Sequence, residues 1–333
     1  MGVSPAHKFG QIIGAVLEKA IEPGLRRIAD KHRLFLDVKG KRRARNGRKK
    51  ITWLDLYGNT HDLDFVLEKN GTQDDNGVPV AFIETAWRRY TKHSRNKAQE
   101  IQGAIVPLSL THQGHAPFIG VILAGKYTEG SLQQLRSLNF HVVHILYKSV
   151  LGAFQSVGID AKFDEDTLDK EVQTKVDAWD SLPDAKQEEL ISTLADSNRD
   201  KIGKFNEALE RAIMRQVERV VILPLHGQAH EYATIMQAIG FVDGYDESMA
   251  TASLTRYEVQ IRFNNGDRIE GEFGEKVATL QFLRNYLPSV HPLTALAVKA
   301  TVKVVDKPAG TALPTTIDKL PRPRATVKRP KKK

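Results

Sequence analysis

His61-Asp62-Leu63-Asp64-Phe65-Val66-Leu67-Glu68, followed by Val80-Ala81-Phe82-Ile83-Glu84-Thr85-Ala86-Trp87-Arg88-Arg89-Tyr90, decides the reading of this chain. Both runs are rich in β-branched and aromatic residues, and Gly71 and Gly77 break the stretch between them, so they are expected to be neighbouring antiparallel strands. Each carries carboxylates among residues that otherwise belong in a core. Buried acids need a partner, and a divalent cation is a good candidate. Side chains two apart share a strand face, which groups Asp62, Asp64 and Val66, and likewise Phe82, Glu84 and Ala86. Adjacent strands then bring Asp64 against Glu84. Two carboxylates held together repel unless a cation sits between them, and oxygen-only ligands with open water positions describe a Mg2+ site, with Mn2+ as a substitute.

Outward from these strands, Phe9, Ile12, Ile13, Val16, Leu17, Ala20 and Ile21 recur at helical spacing up to Pro23-Gly24, which predicts two helices or one bent helix over 8–33. Leu34 to Val38 follows as a short strand. Ile51 to Tyr57 and Asp62 to Glu68 are expected to form a hairpin across Gly58-Asn59-Thr60. Ser94 to about Leu108 reads as a helix capped by Ser94. Phe118 to Ala124 and His141 to Tyr147 have the continuous apolar character of strands buried on both faces, with a helix near Ser131 to Leu138 between them. Residues 160–218 read as charged helices, Val220 to Leu225 as a further buried strand and Glu231 to Gly240 as a helix. Tyr257 to Phe263 and Asp267 to Phe273 alternate around Asn264-Asn265-Gly266, the clearest hairpin signal in the chain, and a helix is expected at Glu275 to Tyr286.

The net charge of +9 comes from two places. Lys39 to Lys50 holds eight basic residues and no acid, and Leu320 to Lys333 holds seven and no acid, so the remainder of the chain is mildly acidic. Basic arms on a non-basic body suit a polyanion, because each cation that neutralises a phosphate releases counterions. The candidates are Lys41, Arg42, Arg43, Arg45, Arg48, Lys49 and Lys50, joined by Arg88, Arg89, Lys92 and Arg95 beside the second strand. No run of 18 apolar residues and no signal-like N-terminus is present, so membrane insertion and secretion are not expected and a cytoplasmic location is. The absence of cysteine excludes thiol chemistry and Cys-ligated metals. His141 and His144 fall on opposite strand faces, His112 and His115 in a loop, and Pro224 and Gly227 argue against a helix joining His226 to His230, so no zinc is expected. Neither a phosphate-binding glycine loop nor a G-x-S-x-G elbow occurs, which argues against NTPase, dinucleotide and serine-hydrolase functions.

Over roughly residues 8–148, the order of helices and strands, with an acid on one strand and a Glu on the next, resembles the PD-(D/E)xK nuclease superfamily. The resemblance implies an α/β fold with a restriction-endonuclease-like mixed sheet flanked by helices. In this chain that core would be residues 1–150, followed by a helical insertion (151–218), a strand, helix, hairpin and helix completing the fold or forming a recognition unit (219–290), and a flexible basic tail (291–333). It also implies that Asp64 and Glu84 bind Mg2+, with Asp62 competing for the first position. The family's Lys would stand where Ala86 is. Some members supply that group from the following helix, which points to Lys97, with Lys92 in reserve and Gln99, Glu100 and Glu18 as auxiliaries. Lys97, Glu100, Ile101 and Ala104 share one helical face. The expected function is a Mg2+-dependent endonuclease cutting double-stranded DNA, a type II restriction or phage-defence enzyme. A homodimer is in keeping with the two centres that duplex cleavage needs. The alternatives are a catalytically inactive DNA-binding protein on the same scaffold and an RNA-associated protein held by its basic tail.

Overall fold

The computed structural model describes residues 4–224, 228–248 and 256–287. Helix α1 (Pro5–His32) begins where the Ser4 hydroxyl accepts the His7 N–H and Pro5 presets the backbone. It runs unbroken through Pro23, where an interruption is expected from the sequence. The buried stripe of Leu17, Ile21, Leu25 and Ile28 continues across the proline, and its burial outweighs one lost backbone hydrogen bond.

The architecture is α/β, with a five-stranded mixed sheet flanked by helices. The strands are β1 (Leu34–Val38), β4 (Phe65–Lys69), β5 (Val78–Arg88), β6 (Phe118–Gly125) and β7 (His141–Leu146), in that spatial order. β4 pairs antiparallel with both β1 and β5, whereas β5, β6 and β7 are parallel. Parallel strands need crossovers, and α2 (Ser94–Thr111) and α3 (Glu129–Arg136) provide them. These two helices cover one face through Ala98, Ile101, Ile105, Leu108, Leu132 and Leu135. The other face is covered by α1 with α4 (Tyr147–Ser156), α5 (Asp169–Asp180), α6 (Asp184–Asp196) and α7 (Arg199–Ile213). The helical segment after residue 151 therefore shares one core with α1 and the sheet. Gly24 permits the approach of α7, because a Cβ there would stand 2.7 Å from the Asn206 amide nitrogen.

Two local expectations are corrected. The hairpin is shorter than predicted: β2 (Ile51–Leu54) pairs only with β3 (Thr60–Leu63), around a turn in which the Asp55 carboxylate accepts the N–H groups of Tyr57 and Asn59 at 2.9 Å. After Asp64 the chain leaves this ribbon for the main sheet. Phe65, Val66 and Leu67 are all buried, and only a sheet covered on both faces accommodates such a run. Ser94 does not cap α2. It is the first helical residue, its hydroxyl donates to the Thr91 carbonyl at 2.7 Å, and His93 stands at the cap position.

A second, antiparallel sheet in the order β11-β10-β8-β9 is built from β8 (Val217–Pro224), β9 (His230–Tyr232), β10 (Tyr257–Phe263) and β11 (Arg268–Phe273). With α8 (Ile235–Gly244) and α9 (Lys276–Arg284) it has its own apolar cluster. β8 alternates buried and half-exposed residues, so it is covered on one face and not on two as expected. The α8 region starts later than predicted because His230–Tyr232 adds an edge strand. Arg215 ties this part to the five-stranded sheet's end of the molecule by donating to the carbonyls of His115 and Ala116 at 2.7 and 2.8 Å. No described helix is long and apolar enough to cross a membrane. His226 and the expected basic tail at 291–333 lie outside the described residues.

Arg42 and Arg45, read from the sequence as phosphate contacts, are instead internal. Arg42 is 2% exposed and forms a two-pronged pair with Glu68 at 2.6 and 3.0 Å, an ion pair with Asp37 at 2.8 Å and hydrogen bonds to the carbonyls of Thr72 and Asp75. Arg45 reaches Asp37 at 3.1 Å and the carbonyls of Val38, Gly40 and Lys49. Asp37 and Glu68 lie on β1 and β4, and burying two carboxylates there demands these cations. Removing one partner of such a group strands the others. Arg42→Ala is expected to cost about 3–5 kcal/mol in urea unfolding, and Arg48→Ala, at an exposed position, less than about 0.5 kcal/mol.

Candidate active site at the β4–β5 junction

The break between β3 and β4 falls on Asp64, and the β4–β5 register sets it opposite Glu84. Asp64 is held from the neighbouring strand: the backbone N–H and the hydroxyl of Thr85 both donate to its Oδ2 at 2.8 Å. Glu84 points to the α2 face and is 14% exposed, and its Oε2 is buried without a hydrogen-bond partner. Lys97, 18% exposed on the first turn of α2, brings its Nζ to 3.9 Å from Glu84 Oε1 and 3.3 Å from Glu100 Oε2. The first of these distances is an electrostatic contact rather than a hydrogen bond. Lys97 reaches inward because Ala98 and Ile101, on either side of its helical face, are anchored in the core.

The electrostatics record how close these groups are. Burial pushes the Glu84 carboxyl well above its ordinary range. The Asp64 charge adds to that rise, the Lys97 ammonium and the Asp64 backbone N–H oppose it, and Glu18 adds a little more. Glu18, half-buried on α1, is itself raised, first by burial and then by the Asp64 charge, with Lys39 opposing. The Asp64 charge thus acts on both Glu18 and Glu84, with Lys39 opposing it at the first and Lys97 at the second.

The remaining predicted site residues are elsewhere or at the rim. Asp62 does not share a surface with Asp64: it lies on the ribbon, paired with Lys50 at 2.6 Å and bonded by the Thr52 hydroxyl at 2.7 Å. The strand break at Asp64 is the reason. Lys92 is engaged with Glu165, and Gln99 is exposed. Glu100 is at the mouth, between Lys97 and Arg88, the latter at 3.6 Å. Among the basic residues, Arg43 pairs with Asp74, while Lys41, Arg48, Lys49 and Arg95 are exposed. Thr85 went unnoticed in the sequence reading, although a hydroxyl beside a strand acid is a recognisable signal. Tyr127 also escaped it: its hydroxyl is buried without a partner, and burial raises its pKa.

Among the described residues no three His, Asp or Glu side chains are arranged as a ready metal-ligand set. Asp64 and Glu84 nevertheless suit a hard divalent cation. Glu84 carries a buried oxygen with no donor, its ionisation is opposed by a second carboxylate, and a cation removes both penalties. Mg2+ takes one or two carboxylates and completes its shell with water and phosphate oxygens, so two ligands suffice.

No family model and no curated protein matches this chain. A solved structure, the crystal structure of a protein of unknown function, AF1548, aligns over 57% of this chain and 98% of its own length, at 12% identity and a TM-score of 0.25.

The raised Glu84 pKa sets a pH dependence. A carboxyl whose folded pKa lies above its ordinary value of 4.5 is harmless below that value and destabilises the fold increasingly as pH rises through the raised one. In the absence of divalent ions, Glu84→Gln should therefore melt with the parent near about pH 4 and above it near about pH 8. A variant that melts below the parent at the higher pH would contradict the assignment.

Proposed function

We propose that this chain is a Mg2+-dependent endonuclease that hydrolyses DNA phosphodiester bonds. The observation that carries the reading is the convergence of Asp64 and Glu84, from adjacent strands, with Lys97 from the following helix. The likeness to the PD-(D/E)xK superfamily agrees with it, including the displaced lysine: Ala86 leaves the strand position empty of charge and Lys97 comes in from α2.

Asp64 and Glu84 would hold the cation, with Thr85 fixing the Asp64 carboxylate so that its orientation costs little entropy when the ion binds. Bound Mg2+ supplies a water of lowered pKa and neutralises charge on the phosphate. Lys97 holds its ammonium beside Glu84, where it orients the attacking water and offsets charge developing on the phosphoryl oxygens. Exposed Lys41, Arg48, Lys49 and Arg95 would contact the duplex backbone, a role that positions DNA without reading its sequence. A restriction or defence role in the cytoplasm, acting as a homodimer on double-stranded DNA, belongs to the same proposal.

The non-cleaving alternative has one observation in its favour: Lys97 stands nearer to Glu100 than to Glu84, as a structural ion pair would. Salt-sensitive duplex binding, with no cleavage in Mg2+ or Mn2+, is its signature.

Plasmid nicking in Mg2+ tests the proposal. Asp64→Asn, Glu84→Gln and Lys97→Met should each slow cleavage by about 10²–10⁴, whereas Asp62→Asn should cut within about twofold of the parent. Cleavage by Glu84→Gln at the parent's rate would overturn it.

A further inference from the structure

Beyond the end of β5, a cleft of about 570 Å³ opens beside the candidate active site. Trp87, Arg88, Arg89, Tyr90, His93 and Phe163 line it, together with Glu100 and Glu165. The Arg89 guanidinium is stacked between two rings, with its central carbon 3.7 Å from the centroid of Phe163 and 4.3 Å from that of Tyr90. Its charge reaches Asp164 and Glu165, but its Nη1 is buried without a hydrogen-bond partner. The Tyr90 hydroxyl is also buried and unpartnered. A half-buried cation that keeps an N–H without an acceptor is costly, and such a group calls for an acceptor from outside. The two acids that line the cleft do not meet the need, because Glu165 is taken by Lys92 and Glu100 by Lys97 and Arg88.

A guanidinium with stacked faces keeps its edge for an anion, and a planar fork matches phosphate oxygens. Aromatic rings beside it offer a surface for a nucleobase. From Glu84 to Arg88 the strand advances four residues, roughly 13 Å, so cleft and acids can engage one nucleic-acid strand. We infer that this cleft is a nucleotide subsite: Arg89 takes a phosphate of the strand flanking the cut and the aromatic wall takes the attached base. The choice of ligand rests on the endonuclease reading, but the binding does not require cleavage.

The test is fluorescence anisotropy of a short single-stranded oligonucleotide, labelled at its 3′ end, with full-length Glu84→Gln protein in EDTA. Arg89→Gln in that background should weaken binding about tenfold or more, and Tyr90→Phe about threefold, at an unchanged melting temperature for the latter. Arg199→Gln, at an exposed position elsewhere, should bind as the parent. A 5′-phosphorylated and a 5′-hydroxyl probe separate the phosphate's source. Loss confined to the phosphorylated probe assigns a terminal phosphate, and equal loss an internal phosphodiester; both support the subsite. Parent-like binding by both Arg89→Gln and Tyr90→Phe, or an equal loss in Arg199→Gln, would overturn it. Because the protein used here is disabled at Glu84, a failure of plasmid cleavage and a failure of the subsite are read separately.

Discussion

Two hydrogen bonds from Thr85 to a single oxygen of Asp64 hold the candidate site together. They fasten the residue at which the chain leaves the β2–β3 ribbon and enters the main sheet, and so fix the first acid against the strand that carries the second. With Asp64 fixed, Glu84, whose pKa burial already raises, has a carboxylate as its neighbour across the strand pair, which raises it further. Lys97 comes from a helix, and its position depends on Ala98 and Ile101 packing α2 onto the sheet. The site is therefore a consequence of sheet register and of one helix docking, and a slip in either would separate the groups.

Charge is handled in two ways in the same sheet. On β1 and β4, Asp37 and Glu68 are buried and ion-paired to Arg42 and Arg45, although Asp37 Oδ2 and Arg45 Nε have no hydrogen-bond partner. On β5, Glu84 has an ammonium at 3.9 Å and one oxygen with no donor. The first arrangement matches two carboxylates with two guanidinium groups; the second sets Glu84 beside Asp64 with the Lys97 ammonium between them and Glu100, an excess of negative charge that suits a cation. The same contrast separates Arg42, which engages two carboxylates and two carbonyls, from Arg89, which lies against two rings and keeps a buried Nη1 without a hydrogen-bond partner.

The basic run at 39–50 shows why composition misleads at the level of single residues. Its eight cations look alike in sequence, yet two are buried by acids on β1 and β4, two are paired on the surface with Asp74 and Asp62, and others are exposed. A cation's fate depends on which acids lie across the sheet, and Glu68, which takes the fork of Arg42, is 26 residues away from it in sequence. Likewise Asp62 and Asp64 are equivalent by alternation alone, and only the transfer of the chain from one sheet to another separates them.

Legible in the sequence are the local elements: the apolar stripe of α1, the unbroken apolar run of β6, the Asn-Gly hairpin of β10 and β11, and the strand that carries Glu84. These follow from periodicity and turn chemistry, which act over a few residues. The sequence also marked Lys97, because helical spacing aligns it with Glu100 and Ile101. It took the packed fold to carry α1 through Pro23, to end the ribbon at Asp64, to place β8 in a second sheet, and to make Arg42 internal while leaving Arg89 Nη1 without a hydrogen-bond partner. Each of those outcomes depends on burial and charge pairing between distant segments, and such energies exceed the local preferences they override.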